Sequence, residues 1–286
     1  MDIKNLENDL IFTIKNYLDN NNIKYKKSIT SLNDYVLTWF EICNKRIISK
    51  PRKVIYSKEL SEKINSNKID EKTKNLIEKF KNKFIVGENI NPYLSKNISK
   101  VRSIDYLLNV WRIHHLHLTD DSVVLNQMSE RSDKYILFII YDDIVFFLDQ
   151  TKHLTGKEFA SKHFLEILKN NNLLEKVGIT VAERIININY EVENDDELYK
   201  LWKGNINLIT FKINNTIYQN INATTLSSNN FLSMQQVCNL NKCLFNQIKD
   251  KELVYDHIEF DEDKLKINIY CKKNEKIFLM MTIDGE

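Results

Sequence analysis

The sequence predicts an α+β protein: N-terminal helices and strands, a central antiparallel meander flanked by helices, and a β-rich C-terminal part. Three observations lead there. Apolar residues recur with helical period at Leu6, Leu10, Ile14 and Leu18. Two dense β-branched and aromatic runs, YILFIIY and IVFFL, are separated only by Asp142 and Asp143, which predicts a tight hairpin. Three further strand-like runs, ELVYDHIEF, LKINIY and IFLMMTI, end the chain.

Taken in order, a first amphipathic helix is expected over residues 3–18, ending in the run Asn20-Asn21-Asn22. Residues 35–56 (YVLTWFEICNKRIISKPRKVIY) read as two strands separated near Pro51, which lacks the N–H that a central strand needs. Ser57 is placed to cap a helix running through Leu60, and a second helix covers 71–84. A short helix is expected after Asn91-Pro92, then strands over 112–118, 135–141 and 144–148, and a helix over 156–169. Beyond Gly178 come a β-like run, an acidic helix over 195–203, strands in INLITFKI and TIYQNI, a helix over 233–248 and the terminal meander. The expected segments are 1–88, a central domain 89–177 and a β-rich 178–286.

Composition narrows the class. Of 286 residues, 43% are hydrophobic, with 14 Phe and 13 Tyr, enough apolar surface to offset the chain entropy of folding. The 41 basic and 39 acidic residues nearly cancel, so the overall field calls for neither nucleic acid nor an anionic membrane. Cys43, Cys238, Cys243 and Cys271 show no zinc or redox spacing, and no run approaches the roughly 18 apolar residues of a membrane span. A cytoplasmic protein with no membrane partner is expected. With five glycines there is no Gly-rich phosphate loop, and neither a G-x-S-x-G elbow nor an H-E-x-x-H pair occurs.

Functional chemistry concentrates in WRIHHLHLTD, residues 111–120, which holds three of the six histidines. On a strand His115 and His117 share a face about 7 Å apart, while His114 joins Leu116 and Leu118 on the other as a core histidine. Counting outward from the Asp142-Asp143 turn pairs Ser132 with His153. That count brings Arg131, Lys134, Lys152 and His153 to the open end of one hairpin. Imidazoles suit proton transfer near neutral pH, and a guanidinium fork suits phosphate. A His-x-His pair with a third His on a neighbouring strand equally suits zinc or iron. Residues 21–58 carry a basic stretch that includes Arg46, Arg52 and Lys53, interleaved with Tyr25, Tyr35, Trp39 and Tyr56. It reads either as an RNA-binding surface with stacking aromatics or as a solvated face over core aromatics. His163 and His257 read as structural.

The run WRIHHLHL followed by RSDKYILFIIYDDIVFFLDQTKH resembles in layout the RelE/ParE-type toxins of the barnase–EndoU–colicin–RelE grouping of ribonucleases, over about residues 93–165. The resemblance implies helices before an antiparallel meander, and strand-borne basic or histidine residues at an RNA phosphate without metal or other cofactor. It carries over a strand arginine to Arg131 and a post-strand histidine to His153. The chain departs from that pattern in its length, its triple histidine and the long stretch 120–130. The expectation is a bacterial endoribonuclease of toxin or phage-defence type. His115 or His117 and His153 would act as base and acid, Arg131 would meet phosphate charge, and Lys134 or Lys152 would position RNA. Its partners would be RNA and an antitoxin or regulatory protein. The alternatives are a metal enzyme built on His115, His117 and His153, and a non-catalytic interaction protein of a defence or mobile-element system.

Overall fold

The computed structural model describes residues 3–101, 103–120, 132–152, 154–182, 192, 194–204, 210–213, 216–220, 231–248 and 253–284. It has a mixed α+β architecture with a strand-rich C-terminal region. Two compact units interleave along the chain: residues 1–48, 96–103 and 231–286 form one, and 49–95 with 104–230 form the other. The boundaries expected at 88/89 and 177/178 both fall inside the second unit.

The first unit joins α1 (Ile3–Asn20), α2 (Leu32–Cys43) and α8 (Phe231–Ile248) to the antiparallel meander β8 (Val254–Asp261), β9 (Lys266–Lys273) and β10 (Lys276–Asp284). Helix α1 buries the expected stripe Leu6, Leu10, Ile14 and Leu18. Helix α2 corrects the strand expected there. Its aromatic and branched composition favours strands, but Tyr35, Val36, Trp39, Phe40, Ile42 and Cys43 are spaced three and four apart and all face the core. Ser31 caps it, accepting from the Asp34 N–H at 3.2 Å. Tyr17, Trp39 and Phe260 pack edge to face at 5.1–5.6 Å. Lys45 is buried with its ammonium donating to the carbonyls of Lys100, Val101 and Ser103, each at 2.8 Å.

The second unit holds two sheets. In the larger, β2 (His114–His117), β3 (Lys134–Tyr141) and β4 (Ile144–Lys152) form the expected antiparallel meander, and β1 (Lys53–Tyr56) adds to β4 in parallel. The smaller sheet orders β5 (Ile179–Val181), β7 (Thr216–Asn220) and β6 (Thr210–Ile213). Ser57 caps α3 (Lys58–Asn65): its Oγ accepts from the Leu60 N–H at 2.8 Å and donates to the Leu148 carbonyl at 2.6 Å. Helix α4 (Glu71–Val86) is capped by Asp70 and ends at Gly87 in a left-handed conformation, φ 78°. Only glycine fits there, because a Cβ would lie 2.7 Å from Lys50 C and Pro51 N. Residues 106–111 form the short helix α5 (Tyr106–Trp111), which closes at Arg112, the first residue of the strand expected over 112–118. The helix expected over 156–169 divides into a 3-10 turn, Gly156–Ala160, and α6 (Lys162–Asn170). Helix α7 (Asp195–Lys203) lies where the acidic helix was expected, capped by Asn194.

The two faces of the larger sheet differ. One carries Tyr135, Leu137, Ile139, Phe146 and Leu148 into a core shared with α6 and Trp202. The other carries Phe138 and Phe147 against Phe84 of α4, at 5.4 and 5.8 Å.

Candidate functional site

Cross-strand partners share a face, so His115 and His117, paired with Leu137 and Tyr135, project together as expected. They do not open to solvent: relative exposure is 8% for His115 and 4% for His117. Tyr135 packs against both rings, at 5.3 and 4.5 Å. His117 Nδ1 lies 3.0 Å from the Ser132 carbonyl, and because a carbonyl only accepts, Nδ1 carries the proton. His115 Nδ1 is buried without a hydrogen bond, and the Asp105 carboxylate stands 3.5 Å away. The expected solvent-open imidazole pair is thus corrected to interior packing. His114 projects to the other face, stacked on Phe138 at 5.3 Å. Burial, with smaller contributions from the charges of Arg112, His115 and Arg52, pushes its pKa down to about 3.

Arg131 and His153 lie outside the described residues. The hairpin that was to align them begins in the expected register, Tyr141 opposite Ile144, and then shifts. Leu148 and Asp149 together oppose Leu137, a bulge that sets Lys134 opposite Lys152 rather than Thr151. Lys134 and Lys152 therefore face away from His115 and His117. Lys134 is bound to Asp70 at 2.6 Å and Thr73 Oγ1 at 2.7 Å, which holds the Asp70 carboxyl well below its usual range. The basic stretch 21–58 is not one stacking surface either. Tyr35 and Trp39 are core residues, Arg52 is buried, and Arg46 donates to the Tyr17 hydroxyl at 2.8 Å. Lys53 alone of the three expected RNA contacts here is exposed.

The bulge has a second effect: it turns Asp149 into a cleft of about 560 Å³ between β4, α6 and the start of α7. Asp149 is 3% exposed, yet both its oxygens accept from Lys63 Nζ of α3, at 2.6 and 2.8 Å. Its Oδ1 also accepts from the Gln150 N–H at 2.8 Å. His163, half-exposed in the first turn of α6, sets Nε2 3.7 Å from Asp149 Oδ2 and Nδ1 4.0 Å from Glu166. The Asp149 carboxylate holds the His163 pKa above its ordinary value, against burial and the Lys63 charge. Such an imidazole, its protonated form favoured by the neighbouring carboxylate and its ring turned to a cleft, can deliver a proton to a leaving group.

Around it stand Thr151, Lys157, Ser161, Glu158, Asp195 and Asp196. The acids among these have work in the fold. Glu158 accepts from the Thr155 N–H at 2.7 Å, Asp195 from the Lys162 N–H at 3.0 Å, and Asp196 pairs with Lys200 at 2.7 Å. Sequence reasoning missed Lys63 and Asp149 and took His163 as structural. The available signal was Asp149 itself, a carboxylate directly after the apolar run Ile144–Leu148.

Among the described residues no group of three or more His, Cys, Asp or Glu is placed to hold a metal ion. The third member of the expected metal set, His153, lies outside them. All four cysteines are free, and among the described residues no helix is long and apolar enough to cross a membrane. No family model, curated protein or solved structure matches this chain.

Proposed function

We propose that this protein is a bacterial endoribonuclease of toxin or phage-defence type, acting in the cytoplasm through histidine acid–base chemistry that calls for no metal, and that His163 is its reactive imidazole. The observation that carries the reading is the half-exposed His163 ring set 3.7 Å from the buried Asp149 carboxylate, itself gripped by Lys63, in a cleft of about 560 Å³. The RNA substrate and the biological setting rest on the layout of the central meander, and an antitoxin or regulatory protein would restrain the activity. In RNA cleavage the 2′-hydroxyl gives its proton to solvent water and its oxygen bonds to phosphorus as the 5′-oxygen leaves. Protonated His163 supplies the proton to that oxygen, Lys157 meets the growing phosphate charge, and Asp149 and Lys63 hold the ring in place.

The test is cleavage of RNA by purified protein in excess EDTA, with growth arrest on expression as the cellular counterpart. Wild type should cut, and His163→Ala should lose about 100-fold or more while melting at an unchanged temperature. A wild-type protein inert toward RNA, or a His163→Ala protein that cuts normally, would end the proposal.

A further inference from the structure

Helix α6 carries His163 in its first turn, and its own flank does not close that turn. Ser161 stands at the N-cap in the extended conformation that capping residues adopt, yet its side chain makes no capping hydrogen bond among the described residues. A helix leaves its first N–H groups without internal partners, and the first of them here belongs to Lys162. That N–H donates to Asp195 Oδ1 at 3.0 Å, an acceptor 33 residues further along the chain. The Lys162 ammonium donates to the Val192 carbonyl as well. Lys162 is thus gripped at both ends by the segment 192–195, and His163 is the next residue.

The gripping segment is itself anchored. Val192 is buried in the core that also takes Phe164 and Leu165 of α6 and Leu198 and Trp202 of α7. Asn194 caps α7, accepting from the Glu197 N–H at 3.0 Å. Two adjacent residues therefore close the N-termini of two helices, Asn194 that of α7 and Asp195 that of α6. A carboxylate so placed also meets the favourable end of the α6 dipole. Asp195, Ser161 and His163 line one cleft, so a shift of this turn moves the imidazole relative to Asp149, 3.7 Å from its Nε2.

We infer that Asp195 is a positioning residue for His163: it holds the first turn of α6 from the start of α7 and so fixes the distance between the His163 ring and the Asp149 carboxylate. The inference rests on the reading of His163 as the reactive imidazole, and it asks of Asp195 an acceptor oxygen rather than a charge.

The test sets Asp195→Ala beside Asp195→Asn, which keeps a carbonyl oxygen for the Lys162 N–H, in two assays. In RNA cleavage the alanine variant should lose about 10-fold in kcat with KM little changed, while the asparagine variant stays within about twofold of wild type. In an NMR titration the His163 pKa should fall toward its ordinary value in the alanine variant and hold its wild-type value in the asparagine variant. The loss of one cap should leave the alanine variant folded, melting about 4 °C or less below wild type. The titration needs no substrate, which separates the two readings. A wild type inert toward RNA, with a His163 titration that moves in the alanine variant alone, ends the catalytic reading and supports Asp195 as the residue that places the ring. An unmoved titration in the alanine variant, unchanged cleavage by it where wild type cuts, or an asparagine variant as impaired as alanine would overturn the inference.

Discussion

The two faces of the meander β2–β3–β4 are built from the same three strands and do opposite things. On one, Phe138 and Phe147 meet Phe84 of α4, and His114 stacks on Phe138. On the other, an apolar core is interrupted by His115, His117 and Asp149, and the cleft holding His163 opens beside β4. One extra residue separates the two outcomes. The bulge at Leu148–Asp149 sends two successive β4 side chains to the same face, so the carboxylate lands with the histidines instead of among the phenylalanines. The aromatic face keeps His114 only as a stacked neutral ring, while the face toward the cleft carries a carboxylate that Lys63 must hold.

The comparison breaks most visibly on the aromatic side. Phe138 is fully buried, and Phe138→Ala should cost about 3–5 kcal/mol in chemical denaturation, since three neighbouring rings lose their packing partner. A loss under about 1 kcal/mol would show that this face is not the sealed one.

The polar side responds in charge before it responds in stability. Asp149→Asn removes the carboxylate that raises the His163 pKa, so an NMR titration of His163 should move toward lower pH. The sign for stability follows from linkage. Because the folded pKa of His163 lies above its ordinary value of 6.5, its contribution is fully present below about pH 6.5 and is lost as pH rises through the folded value. That slope should vanish from the melting temperature of the variant. The magnitude will be small, because the ring is half exposed to screening solvent. An unmoved titration would mean that Asp149 does not govern the ring.

The smallest effect sharpens the contrast within the polar face itself. His115 presents a buried Nδ1 without a hydrogen bond, so His115→Leu should be neutral or stabilising by about 1 kcal/mol. Destabilisation beyond that would show that the ring makes a polar contact the fold depends on.

Legibility in the sequence followed the range of the forces involved. Helix α1, the Ser57 cap, helix α7, the hairpin at Asp142-Asp143 and the terminal meander were all readable, because each depends on residues within a few positions of one another. So was the shared face of His115 and His117, which needs only strand alternation. Helix α2 was misread because composition was weighed above period in a segment where the two disagree. The parallel addition of β1 to β4 was not readable, since Val54 and Val145 are brought together from positions 91 residues apart. Nor was the site: Lys63, Asp149 and His163 come from α3, β4 and α6, and no spacing links them.

By itself, the sequence determined helix α1, the cap of α3, helix α7, the central hairpin and the terminal meander, and that three histidines alternate on one strand. Period, capping and turn chemistry act locally and survive in any arrangement of the chain. Only the tertiary structure decided which of those histidines are dry, which carboxylate faces an imidazole, and where a lysine cancels a buried charge. Those outcomes depend on a one-residue bulge and on which helix covers which face, and pairing and burial of that kind are set by contacts far apart in the chain.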